Sequence, residues 1–147
     1  MNVRRDAKAE KGLQLLVGFL NLSHIDPDKI RVVRTTSNSR AYARIWGVNR
    51  ILQEALNPKA IYVIELVDDL FEKLNCEEKI ATITHELAHI PRTFSGYLRP
   101  HNRYFKKDLL AMTRRLRKLP RLEKQVICEY FTYRSAKSTK GQRSEGK

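Results

Sequence analysis

Apolar residues recur at helical spacing along Asp6–Leu22. Leu13, Leu16, Val17 and Leu20 share one face there and Lys8, Glu10 and Lys11 lie elsewhere, which predicts a first packing helix. The turn-like Asn21–Pro27 ends it, and His24, with no ligand-like neighbour in sequence, is expected to be solvated or capping. From Ile30 to Thr35 apolar and basic positions alternate, Ile30 and Val32 against Arg31 and Arg34, as in a half-buried strand. Thr36–Ser39 reads as a tight connection into a second strand over Arg40–Trp46, paired with the first as a hairpin. Asn49–Leu56 fits a short helix stopped by Asn57-Pro58, although the same residues could form a strand. Ala60–Leu66, dense in β-branched and aromatic residues, is the clearest strand.

The next helix carries its own start and stop. Asn75 followed by Glu78 reads as a cap with its reciprocal carboxylate, Ile80, Ile83, Leu87 and Ile90 form the apolar stripe, and Pro91 sets an end near Ile90. Tyr104–Leu119 predicts a helix with Leu109, Met112, Leu116 and Leu119 inward. Arg121–Tyr133 predicts a last packing element with Leu122, Val126, Ile127, Tyr130 and Phe131. From Arg134 onward no large apolar residue occurs, so a basic, disordered tail is expected. The pattern as a whole predicts one α+β domain over residues 1–133, a small and mostly antiparallel sheet packed on the helix that starts near Glu77, with the tail over 134–147.

Composition changes this picture in one respect. At 147 residues and 41% hydrophobic content the chain has material for a single modest core, but 29 Lys and Arg against 16 Asp and Glu leave a net charge of +13. Such an excess favours acidic partners, nucleic acid among them, and the basic face of the Tyr104–Leu119 helix, chiefly Arg114, Arg115 and Lys118, with the tail, is the candidate surface. No apolar run is long enough to cross a bilayer and the N-terminal stretch lacks a signal-peptide core, so an intracellular, cytoplasmic protein with no membrane partner is expected. Cys76 and Cys128 lack C-x-x-C spacing and are expected to be buried free thiols, with a disulfide as the alternative. A Gly-rich phosphate loop, an internal repeat and a G-x-S-x-G elbow are all missing, which narrows the enzyme classes.

The candidate chemistry lies in His85-Glu86-Leu87-Ala88-His89. Residues four apart on a helix sit one above the other, so both imidazoles can address one ion. Glu86, beside them but off their axis, is placed as a general base rather than a ligand. Catalytic zinc usually takes three protein ligands. His101 is the favoured third, because Pro91, Gly96 and Pro100 mark a short turn-rich loop that could fold it back, and imidazole suits zinc. Asp108 is its acidic competitor, and Glu123 and Glu129 are more distant ones.

The run from His85 to Pro91, then Thr93–Gly96 and Arg99–His101, resembles the phage-type metallopeptidase family found in archaea and their viruses, and more loosely SprT-like and other minimal zincin proteases. Ala43–Gly47 and Ala60–Glu65 extend the likeness to roughly residues 40–105. The resemblance implies a zincin-like zinc peptidase with His85, His89 and His101 as ligands and Glu86 as base. It also implies that Ala60–Leu66 forms the sheet edge over the site, where a protein or peptide substrate could pair with it; an internal strand is the alternative.

The leading expectation is therefore a Zn²⁺-dependent peptidase in which Glu86 takes a proton from the attacking water and passes it to the leaving amine. Tyr97, Arg99 and Tyr104 flank the third histidine as candidate oxyanion or substrate contacts, and the sequence leaves the choice among them open. The rival expectation is a basic nucleic-acid-binding protein with a structural or degenerate zinc site.

Overall fold

The structure, a computed structural model, describes residues 1–132; the tail expected from Arg134 onward lies outside them. Four strands, β1 (Val3–Arg5), β2 (Ile30–Thr35), β3 (Ala43–Gly47) and β4 (Tyr62–Val67), form one sheet in the order β1-β2-β4-β3. Six helices accompany it: α1 (Ala7–Phe19), α2 (Arg50–Leu56), α3 (Asp68–Phe71), α4 (Cys76–Leu87), α5 (Arg103–Lys118) and α6 (Arg121–Phe131). The α+β class holds. The sheet is mixed, with β1–β2 and β3–β4 antiparallel and β2–β4 parallel.

Two expectations about the sheet are corrected. β2 and β3 are not a hairpin, because β4 inserts between them, aligning Val32 with Ile64 on one side and Ile45 with Ile64 on the other. β4 is accordingly not the sheet edge; β3 is. The reason is burial. Five of the six β4 residues are buried, on both faces, whereas β3 has Trp46 and Gly47 exposed and suits an edge. The parallel pairing in turn requires a long crossover, which residues 36–61 supply. β1 went unforeseen because three residues, Val-Arg-Arg, carry no readable period.

The core lies between one sheet face and the helices. Leu13, Leu16, Val17 and Leu20 of the first helical segment are buried against it, as their spacing predicts. Arg34, expected on the polar side of its strand, is instead 1% exposed, since it shares the inward face with Ile30 and Val32. It donates from Nε to Asp6 at 2.7 Å, from Nη1 to Glu72 at 2.8 Å and from Nη2 to the Phe131 carbonyl at 2.7 Å. One guanidinium thus ties the start of α1, the end of α3 and the end of α6, a buried charge with its donors satisfied. On α6, Ile127 and Phe131 are buried as expected, but Leu122 and Val126 point outward. No described helix is long and apolar enough to cross a membrane.

α4 starts as its sequence signals. Asn75 accepts from the Glu78 amide and Glu78 accepts from the Asn75 amide, both at 2.9 Å, a complete capping box. It ends at Leu87, earlier than the stop expected near Ile90. His89 and Ile90 continue as a tighter turn, their amides bonding to the carbonyls of Glu86 and Leu87 at 3.1 Å, a common way to close a helix end.

Candidate metal centre

His85 sits in the last turn of α4, His89 in the tight turn beyond it, and His101 in the loop just before α5. One ring nitrogen from each lies within 4.8 Å of the others, and the Nε2 atoms of His89 and His101 face each other at 3.0 Å. Tetrahedral bonds of about 2.1 Å would span donor separations of roughly 3.4 Å, so the three imidazoles fit around one ion with small side-chain rotations. His89 Nδ1 donates to the Arg99 carbonyl at 2.8 Å, which leaves Nε2 with its lone pair toward the shared space. The carbonyl end of a helix also favours a cation.

The loop that returns His101 is fastened at several points. The Tyr62 hydroxyl, at the start of β4, donates to the Tyr97 carbonyl at 2.9 Å and accepts from the Gly96 amide at 2.8 Å, and its ring packs on Phe94. Gln53 of α2 reaches the Ser95 carbonyl at 2.9 Å. Gly96 has φ +93°, and a Cβ there would collide with the Val48 carbonyl, while one on Gly47 would collide with the Gly96 carbonyl. Arg99 closes the loop: its amide bonds to the His89 carbonyl at 2.9 Å and its Nε to the Ala88 carbonyl at 2.8 Å.

Burial pushes the Glu86 carboxyl up to about 7. Burial lowers His85 and His89 as well, His85 also through the neighbouring imidazoles, so both rings favour the neutral form that a metal requires. Glu86 and His85 line a shallow cleft whose other wall is Tyr42 and Ala43, at the head of the edge strand.

The remaining candidates separate cleanly. Asp108 does not approach the histidines; it pairs with Arg99 at 2.8 Å and Arg92 at 3.5 Å. Glu123 and Glu129 lie on α6 and take no part in the histidine cluster. Arg99 has its side chain held by the Ala88 carbonyl and by Asp108, which braces the loop. Tyr97 and Tyr104 are 62% and 58% exposed, and Tyr104 stacks under Arg103. Arg114, Arg115 and Lys118 are all exposed on α5, though one nitrogen of Arg115 is bound to the Leu20 carbonyl at 2.6 Å. His24, expected to be solvated or capping, is half-buried and hydrogen-bonded to the Ile90 backbone, and that burial, ahead of the nearby Arg92 and Arg99, lowers its pKa. Cys76 and Cys128 are free thiols. The residue that sequence reasoning missed is Phe105. It is buried in the first turn of α5, and its ring centroid lies 4.6 Å from His89 and from His101 and 5.3 Å from His85. An aromatic four positions beyond a proposed ligand, at a helix start capped by Asn102, was the available signal.

No curated protein and no solved structure matches the chain. A family model described as "Putative phage metallopeptidase" matches residues 1–125, which include every residue of the histidine cluster. With that match over most of its length, and with a histidine triad built around the end of α4, the chain belongs to this metallopeptidase family.

Proposed function

We propose that the chain is a zinc-dependent peptidase whose ligands are His85, His89 and His101 and whose general base is Glu86. The observation that carries this reading is the convergence of three imidazoles beside a half-buried carboxylate. Zinc, the ion that suits an all-imidazole set, would polarise a scissile carbonyl and make water acidic near neutrality. Glu86 accepts the proton of the attacking water and delivers it to the leaving amine. Phe105 walls the imidazoles from solvent on the α5 side, and Arg99 fixes the tautomer of His89. An extended peptide has a natural seat on β3, whose outer edge has no strand partner among the described residues and whose head borders the Glu86 cleft.

The rival reading, a structural zinc site in a nucleic-acid-binding protein, calls for a fourth protein ligand. Among the described residues no fourth His, Cys, Asp or Glu joins the three histidines, which favours the catalytic reading. Elemental analysis of purified protein should find about one zinc per chain. His85→Ala and His89→Ala should each lose it. Glu86→Gln should keep it while peptide hydrolysis falls by about 10²-fold or more, the usual contribution of a general base. Zinc retained in both histidine variants overturns the ligand set, and full activity in Glu86→Gln overturns the base.

A further inference from the structure

Behind the metal centre, between the end of α1, the end of α4 and the middle of α5, lies a second cavity of about 240 Å³. Its lining includes Ser23, His24, Arg92, Arg99, Arg115 and a single carboxylate, Asp108. Three guanidinium groups against one carboxylate leave a local excess of two positive charges around the cavity, with Arg99 half-buried and Arg92 and Arg115 exposed. Asp108 is already shared between Arg99 and Arg92, and the Arg92 contact is long at 3.5 Å with its side chain 76% exposed. Arg115 spends one nitrogen on the Leu20 carbonyl, and a guanidinium carries five N–H donors. The cavity therefore holds more donor capacity than its own acceptors use. Ser23 and His24 add polar groups from a third element, so donors converge from the α1 end, the loop after α4 and α5.

We propose that this cavity is a phosphate-binding site. A tetrahedral anion accepts from several directions at once, whereas a carboxylate offers one planar edge, and guanidinium forks on separate elements match the former. The size permits it: at about 30 Å³ of liquid volume per water, 240 Å³ is room for several waters, enough to admit a phosphate group together with what it is attached to. The phosphate is either the free ion or one phosphodiester of a nucleic-acid backbone, since both present the same oxygens to the same donors. The site does not depend on the metal or on the peptidase reading, because none of its donors is a proposed metal ligand.

The test is an NMR titration of the zinc-loaded protein at constant ionic strength, following the His24 imidazole, first with inorganic phosphate and then with a short single-stranded DNA oligonucleotide. Saturable shifts are expected with at least one of the two. Arg92→Gln, which sits on the surface and disturbs no packing, and Arg115→Gln should each raise the midpoint about tenfold, the usual effect of losing a hydrogen bond to a charged group. Lys59→Gln removes the same charge at an exposed position outside the cavity and should leave the midpoint unchanged. Shifts with the ion alone identify a free-phosphate site, and shifts with the oligonucleotide identify a backbone contact; either supports the proposal. No saturable shift with either probe, or an effect of Lys59→Gln as large as that of Arg92→Gln, overturns it.

Discussion

Glu65 shows how much of this molecule rests on single side chains. It is 3% exposed on β4, yet it accepts from Arg44 Nη2 at 3.0 Å, from the Trp46 indole at 2.9 Å and from the Thr35 hydroxyl at 2.5 Å. Burial alone would raise its carboxyl, but these donors outweigh it and hold the group at about 2. A carboxylate depressed in the folded state and ordinary in the unfolded one, near 4.3, adds stability that is complete above that pH and is lost as pH falls toward about 2. Urea unfolding of the native chain and of Glu65→Gln should therefore differ most at neutral pH and converge as pH falls through this window. A gap that stays constant from pH 7 to pH 2.5 would assign the effect to packing. Nothing in the spacing of Ala60–Leu66 marked Glu65 as a hub, because its partners come from β2 and β3, up to 30 residues away. The pentapeptide His85–His89, by contrast, was readable at once, since a local helix sets its geometry.

Among the elements, the loop from Pro91 to Asn102 is the one that assembles the cluster, and it holds its shape through contacts with β3, β4 and α2. Gly96→Ala confronts both a positive φ and the Val48 carbonyl. It should destabilise the protein by about 1–3 kcal/mol and weaken metal binding, because His101 would be carried out of position. Thermal unfolding and a competitive zinc titration check this, and unchanged values in both would show the loop to be plastic. The start of α4 was legible in its sequence, because the Asn75 box with Glu78 is written within four residues. The hairpin was misread because turn and alternation signals describe neighbours along the chain, whereas β4 enters from beyond α2.

For the molecule as a whole, the net charge of +13 is the property that no single site absorbs. If it serves nucleic acid, affinity should fall linearly in log salt, and each lost phosphate contact should reduce the slope by about one. Binding isotherms for the full chain, for a chain ending at Arg134 and for Arg114→Ala/Lys118→Ala test this; equal and weak binding by all three at physiological salt would leave the charge to solubility. The strand order carries a different consequence. β4 is the last strand in sequence but lies between β2 and β3, so β3 has no strand partner and β2 only β1 until Val67 has been synthesised. A two-stranded β1–β2 pair is marginal alone. The nascent chain must therefore wait, largely unfolded, for its central strand, and α4 follows that strand closely, so the helix that carries the histidines is made just as the surface it docks on comes into being.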